Sequence, residues 1–161
     1  GLDFGYGGKD RTSCIKITWI DEVYYVEEMF SEAKLSIRKT LTAMRKAEIP
    51  FNAKIYADSA MPLLIDEIRN GGFRTVRKAT KGNVEAGIKK VQDKDIVIVG
   101  DDKTHLYYAY MTFSRDKNGK LPHEPDELAA MRYGINSRTP IKNAKKNRPV
   151  KARRTNRGDF L

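Results

Sequence analysis

The 161-residue sequence predicts an α/β fold, in which a mixed β-sheet is flanked by α-helices. Three strand-like segments open the chain, and helical and strand-like periodicities alternate after them, as expected for helices packed on a sheet. Hydrophobic residues make up 40% and charged residues 32% of the chain, a balance that is sufficient for one core of moderate size.

The first three elements are predicted to be neighbouring strands. Residues 2–4 and 13–20 have the composition of strands and are connected by a glycine-rich turn. Residues 23–30 form the third strand, and residues 21–22 supply the turn before it, which predicts an antiparallel hairpin. Cys14, the single cysteine, is expected to be a core residue of the second strand.

Helices and strands are predicted to alternate through the rest of the chain. Apolar residues at helical spacing predict helices over residues 36–48, 61–70, 83–92 and 125–133. Short apolar runs between them predict strands over residues 54–57, 73–79 and 95–99. Residues 104–113 fit a helix and a strand equally well, and Asn118-Gly119 marks a turn after them.

The positive charge of the chain is concentrated at its C-terminal end. The net charge is +10, yet residues 137–161 contain nine basic residues and one acid, so residues 1–136 carry only +2. We therefore expect a folded domain over residues 1–136 and a basic, flexible tail over residues 137–161. Such a tail favours binding to nucleic-acid phosphates, and an extension kept for solubility is the alternative. The tail residues predicted to bind nucleic acid are Lys145, Lys146, Arg148, Arg153 and Arg154.

Several functional classes are excluded by what the sequence lacks. No run of 18 apolar residues is present, which excludes a membrane-spanning segment, and the first residues do not resemble a secretion signal. One cysteine forms neither an internal disulfide nor a zinc site, so a reducing, cytoplasmic location is expected. A phosphate-binding GxxxxGK[ST] loop is missing, and His105 and His123 have no nucleophile motif that would support acyl transfer.

Three aspartates occupy positions where a metal site is plausible on chemical grounds. Asp3 lies in the first strand, where a buried carboxylate needs a cation or a strong donor. Asp58 follows the strand over residues 54–57, at the end of a strand where α/β sheets place ligands, and Asp126 opens the last helix. Helix capping is the alternative role for Asp58 and Asp126. Carboxylates from two strands and a helix would suit Mg²⁺ or Mn²⁺, and two such metals can cleave a phosphodiester bond.

Basic residues follow the strand that precedes residue 80. Arg77, Lys78 and Lys81 are candidates for contact with DNA phosphates, although an ordinary solvated strand edge would have the same composition. Because the sequence contains no recognisable module for reading bases, non-specific phosphate contact is expected.

Four segments, in this order, resemble the C-terminal nuclease domain of phage terminase large subunits, the DNA-packaging motor proteins. The segments are GLDFGYG at residues 1–7, YADSA at 56–60, ATKGN at 79–83 and AAMRYG at 129–134. The resemblance spans about residues 1–135 and implies a ribonuclease H-like fold. It also implies a metal-dependent endonuclease, located in the host cytoplasm, that cuts concatemeric double-stranded viral DNA. Expected partners are a packaging ATPase domain of the same protein, missing from this chain, the portal and the small terminase subunit.

The resemblance assigns the first catalytic aspartate to Asp3 and the second to Asp58, but the third position departs from the family pattern. That pattern resembles His-x-x-Asp-Ala-x-Arg-Tyr, whereas this chain has Asp126 in place of the histidine and Ala129 in place of the metal-binding aspartate. Either Asp126 supplies the third carboxylate, or an acid at position 129 has been replaced, which would silence the nuclease. Weak or absent DNA cleavage is therefore expected.

Two other functions remain open from the sequence. A junction-resolving nuclease of the same fold superfamily would also place acids on strands and on a late helix. A non-catalytic DNA-binding or packaging module would use the basic tail and would need no metal. An actin-like or sugar-kinase ATPase is disfavoured, because that fold needs two domains and this chain holds one.

Overall fold

Six strands form a single mixed sheet in the computed structural model, which describes residues 1–5 and 10–138. The strands are β1 (Leu2–Asp3), β2 (Arg11–Ile20), β3 (Val23–Ala33), β4 (Ile55–Ala57), β5 (Val76–Lys78) and β6 (Asp95–Val99). Their order across the sheet is β5-β4-β1-β2-β3-β6. Strand β2 is antiparallel to β1 and β3, whereas β4 runs parallel to β1 and β5, and β6 runs parallel to β3. The predicted α/β class with a mixed sheet is confirmed.

Five helices in the described residues cover this sheet. They are α1 (Ile37–Lys46), α2 (Pro62–Asn70), α3 (Val84–Gln92), α4 (His105–Thr112) and α5 (Asp126–Ser137). The ambiguous segment is a helix because the Thr104 side chain accepts a hydrogen bond from the Tyr107 amide, 3.2 Å away, and so caps α4. None of the helices in this part of the chain is both long and apolar enough to cross a lipid bilayer.

The β2–β3 hairpin has the predicted antiparallel pairing. Its turn residues, Asp21 and Glu22, have φ values of +47° and +70°, which match the twist of the two strands and give a tight two-residue connection. Both strands extend further than predicted, because β3 continues to Ala33 and β2 begins at Arg11. The first half of β2 pairs with β1 and places Ser13 opposite Asp3.

A β-bulge interrupts the pairing of β2 with β3. Cys14 pairs with Phe30 but Ile15 pairs with Glu28, which leaves Met29 as an extra residue on β3. Met29 and Phe30 consequently both pack into the same core. Glu28 and Ser31, although three residues apart, both face the opposite layer.

The sheet separates two hydrophobic cores. Leu2 and Cys14 pack on one face with α1 and α2, and the predicted core position of Cys14 is thereby observed. Ile15 points to the other face, because successive strand residues alternate, and it packs there with Val26 and with α3, α4 and α5. The acidic side chain of Asp3, next to Leu2, faces the layer of α5.

Helix α5 lies unusually close to the sheet at its C-terminal half. A Cβ atom at Gly134 would lie 2.3 Å from Ile17 Cδ1 and 3.0 Å from the Gly1 nitrogen, so only glycine leaves room for this approach. Nearly all residues of α5 are buried as a result. This close packing brings the N-terminal turn of α5 over β1 and β2.

Further boundaries also differ from the sequence-based prediction. Strand β5 starts at Val76 and not at residue 73, because the Phe73 amide donates to the Ile68 carbonyl and the Val76 amide donates to the Phe73 carbonyl, which makes a turn. Helix α5 ends at Ser137, one residue beyond the predicted end of the domain. The predicted tail over residues 137–161 lies outside the described residues from position 139 onward and stays a prediction.

Candidate functional site

The three aspartates predicted from the sequence border one cleft of about 430 Å³. Strands β1 and β4 are adjacent and parallel, so the residues at their carboxyl ends, Asp3 and Asp58, meet at the same edge of the sheet. The Asp58 amide donates to the Leu2 carbonyl over 3.0 Å, which fixes this alignment. Asp126 reaches the cleft from the first residue of α5.

Asp3 is the most buried of the three acids, with 8% of its surface exposed. One carboxylate oxygen accepts a hydrogen bond from the Phe4 amide over 3.1 Å. Burial, followed by the negative charges of Asp58 and Asp126, raises the pKa of Asp3 to about 8. Burial and the neighbouring carboxylates together therefore favour the protonated form of Asp3.

Asp126 is held by the sheet and not by its own helix. Its Oδ2 atom accepts a hydrogen bond of 2.6 Å from the Arg11 amide on β2, so the alternative role as a helix cap is not observed. Burial raises the pKa of Asp126, the hydrogen bond from Arg11 opposes this, and the charges of Glu127 and Asp10 add to the increase. The carboxylate therefore stands at the mouth of the cleft, attached to the same strand that pairs with Asp3.

Asp58 lies at the rim of the cleft, between the other two aspartates and Lys81. Its Oδ1 atom accepts a hydrogen bond of 2.9 Å from the Ala60 amide and forms an ion pair with the Lys81 ammonium. The following helix, α2, has no side-chain cap, so the predicted capping alternative for Asp58 is wrong. The Lys81 ammonium also lies 5.9 Å from the centre of the Tyr133 ring.

The other predicted phosphate-binding residues are placed less closely. Arg77 and Lys78 are exposed on β5, the edge strand next to β4, four and three residues before Lys81. They extend a basic edge away from the cleft but do not line it. The tail residues Lys145, Lys146, Arg148, Arg153 and Arg154 lie outside the described residues.

Ala129 lies in the cleft where the resemblance expects a metal-binding aspartate. It is 5% exposed and lines the same cavity as Asp3 and Asp58, one turn after Asp126. Its methyl group packs with Tyr133 and Ala79 and offers no ligand. Both positions from which a third carboxylate could come, 126 and 129, thus border the cleft, and the choice between them stays open.

Sequence reasoning missed a buried ion pair in the wall of the cleft. The Arg132 guanidinium binds both carboxylate oxygens of Glu124, with Nε at 2.9 and 3.1 Å and one terminal nitrogen at 2.6 Å. Arg132 also stacks on Tyr133, 4.9 Å from the ring centre. Arg132 and Tyr133 belong to the fourth segment that resembles the terminase family, so the sequence did contain a signal for them. Glu124 and His123 lie in the loop before α5, and only the tertiary fold brings them to the cleft.

The donor chemistry of the cleft suits a hard divalent cation. Asp3, Asp58 and Asp126 offer only oxygen atoms, which Mg²⁺ and Mn²⁺ prefer. Within residues 1–5 and 10–138, however, no three His, Cys, Asp or Glu side chains are gathered tightly enough to form a ready metal-binding group. Ala129, which also lines the cleft, offers no oxygen ligand.

Comparison with known proteins identifies the class of this fold. No protein-family model matches the sequence, and no curated protein sequence matches it. Among solved structures, the chain is similar to the nuclease domain of the large terminase g2p from bacteriophage SPP1, a structure with bound Mn, with a TM-score of 0.69 and 27% identity over 84% of this chain and 82% of that one. It is also similar in fold to the nuclease domain of the P22 large terminase, with a TM-score of 0.62 and 21% identity over 84% of this chain and 77% of that one.

These similarities define an α/β domain with a ribonuclease H-like fold, as the sequence predicted. The chain is similar to nuclease domains of phage large terminases, and the resemblance noted in its four sequence segments is confirmed.

Proposed function

We propose that this domain is a divalent-metal-dependent DNA endonuclease that cuts concatemeric double-stranded DNA during viral genome packaging. The observation that carries the proposal is the convergence of Asp3, Asp58 and Asp126 on one cleft, in a fold shared with a nuclease domain that binds Mn. Two Mg²⁺ or Mn²⁺ ions, when bound, would activate a water molecule and stabilise the leaving oxygen of the phosphodiester.

The residues around this cleft would have different roles in binding metal and DNA. Asp3, Asp58 and Asp126 would hold the metal, and the Lys81 ammonium, paired with Asp58, is placed to meet a phosphate oxygen of the bound DNA. Arg77 and Lys78 on the neighbouring edge would extend phosphate contact along the duplex. The Glu124–Arg132 pair supports the opposite wall and keeps the Tyr133 ring fixed beside the acids.

The proposed setting follows the terminase resemblance. We place the domain in the host cytoplasm, with double-stranded DNA as substrate and with a packaging ATPase domain, the portal and the small terminase subunit as partners. The basic tail would add affinity for DNA outside the cleft.

We further propose that Ala129 weakens catalysis in this chain. A plasmid-nicking assay with Mn²⁺ should show weak or no cutting by the unsubstituted chain and clearly faster cutting by Ala129→Asp, because the substitution restores an oxygen ligand in the cleft. Adding Asp3→Asn to Ala129→Asp should abolish the gain and so serves as the control. Equal, robust cutting by the chain and by Ala129→Asp would contradict the proposed role of position 129.

Ala129 also supports a second candidate, a non-catalytic DNA-binding module of the packaging machinery. Such a module would bind DNA without divalent metal, and neither Mn²⁺ nor Ala129→Asp would produce cutting. A junction-resolving nuclease would instead cut branched DNA in preference to linear DNA in the same assay.

A further inference from the structure

A buried row of polar side chains crosses the sheet beneath the acidic cleft. Asp3 on β1 pairs with Ser13 on β2, and Ser13 pairs with Ser31 on β3, so the three side chains point to the same face. On that face Ser31 meets Glu127, the residue of α5 that follows Asp126. Glu127 is 4% exposed, and both serines are buried as well.

We infer that Glu127 and Ser31 are positioning residues for the proposed metal site. By attaching the first turn of α5 to the sheet, they set Asp126 and position 129 at a defined distance from Asp3. The inference rests on the proposed function, since it assigns these residues to the arrangement of metal ligands.

The hydrogen bonds of this row form a connected chain. Ser31 Oγ donates to Glu127 Oε1 over 2.5 Å and lies 2.8 Å from Ser13 Oγ. Because the single hydroxyl proton of Ser31 goes to Glu127, Ser13 is the donor in the second hydrogen bond. These hydrogen bonds therefore link Ser13, the residue paired with Asp3, to Glu127, the residue next to Asp126.

Arg11 joins the same row to Asp126 directly. Its side chain donates from Nε to Ser31 Oγ over 2.9 Å and from a terminal nitrogen to the Ser31 carbonyl. Nε also lies 3.6 Å from Glu127 Oε1, close enough for an ion pair. Its backbone amide donates to Asp126 Oδ2. One residue of β2 thus fixes the anchor of the helix through its side chain and the candidate metal ligand through its main chain.

Stability alone does not account for a carboxylate at this place. Burying a charged pair costs desolvation, and a well-packed apolar side chain of similar volume is often as stable or more so. Residues that hydrogen-bond to metal ligands, by contrast, commonly change metal affinity tenfold or more when they are replaced, and Ser31 and Glu127 hold Arg11, whose amide makes that bond to Asp126. The two roles can be separated by measuring stability and metal affinity on the same variants.

The test compares Mn²⁺ affinity with thermal stability in four variants of the full chain. Glu127→Met replaces the carboxylate by an apolar group of similar size, Ser31→Ala removes its donor, and Glu127→Gln keeps an acceptor for Ser31. The matched control is Thr40→Val, because Thr40 is 2% exposed and its hydroxyl donates to the Ser36 carbonyl over 3.1 Å in α1, on the other face of the sheet.

We expect calorimetric titration with Mn²⁺ to give a Kd about tenfold to a hundredfold higher for Glu127→Met and Ser31→Ala. Glu127→Gln should stay nearer to the unsubstituted chain, and Thr40→Val should change Tm but not Kd. If the unsubstituted chain binds Mn²⁺ and the Glu127→Met and Ser31→Ala variants bind it with the same Kd, this inference is overturned and the proposed function is not. Absence of Mn²⁺ binding by the unsubstituted chain and by Ala129→Asp would overturn the proposed function, and the inference with it.

Discussion

At Asp3 the folded chain buries a carboxylate between two others. In a metal-free molecule this arrangement works against folding, because burial and the charges of Asp58 and Asp126 all disfavour ionisation. The ordinary pKa of 3.8 applies in the unfolded chain and a value of about 8 in the folded one. Between these values the unfolded state loses its proton first, so stability should fall as pH rises from about 4 to about 8.

Asp3→Asn is therefore expected to stabilise the metal-free domain at pH 8, by at least about 1 kcal/mol, since one pKa unit corresponds to about 1.4 kcal/mol. Urea unfolding in EDTA at pH 5 and pH 8 measures this gain, which should be larger at pH 8. With Mn²⁺ present the order should reverse, because metal stabilises only the chain that binds it. A gain that is the same at both pH values would show that ionisation of Asp3 is not its cause.

Among the elements, α5 has the largest part in assembling the site. Its first turn carries Asp126 and Glu127, its second turn presents Ala129 to the cleft, and its last turns pack against Ile17 through Gly134. A helix lifted from the sheet at either end would move the acids of the strands away from the acid of the helix.

Gly134→Val should destabilise the domain by about 1–3 kcal/mol, because the added carbons would overlap Ile17 and crowd the start of β1. Ala86→Val on the exposed side of α3 is the matched control, since it changes helix propensity without a buried clash. Chemical denaturation compares the two variants. A loss at Gly134 no larger than that at Ala86 would mean that α5 does not need the close approach.

The sequence predicted most elements and the three acids, but not the contacts that arrange them. Asp58 and Asp126 were recognisable because each stands at an element end, where position along the chain already implies the edge of the sheet. Asp3 was recognisable because an acid within an apolar strand needs a cation or a strong donor. The hydrogen bond from Arg11 to Asp126 joins residues 115 positions apart, and no local pattern encodes it. The pairing of β6 with β3 and the Glu124–Arg132 pair are likewise products of the tertiary fold.

Across the whole molecule, the basic residues expected to bind DNA and the acidic residues expected to bind metal occupy different regions. Acids converge on the cleft, Lys81, Arg77 and Lys78 follow its rim and the adjacent edge strand, and most of the remaining net positive charge belongs to residues beyond 138. Binding of DNA and cleavage of DNA should therefore respond to different substitutions.

Deletion of residues 139–161 should weaken DNA binding and flatten its salt dependence, because each lost phosphate contact lowers the slope of log K against log salt by about 0.9. Fluorescence anisotropy with a DNA duplex at several salt concentrations measures this slope. The double variant Arg77→Ala, Lys78→Ala is the comparison in the folded domain and should reduce the slope by at most about 2. An unchanged slope after the deletion would show that the tail does not contact phosphates.

The extra residue at Met29 has a consequence for how this chain tolerates changes in length. Glu28, which accepts a hydrogen bond from the Leu106 amide at the start of α4, and Ser31, which holds α5, are three positions apart and share a face because the bulge accommodates one extra residue between them. Deletion of Met29 would restore regular pairing and leave Glu28 and Ser31 two positions apart, so both side chains would still face the same layer. The contacts of β3 with the two helices therefore tolerate loss of the bulge residue, and the cost of that loss falls on the core contact that Met29 makes.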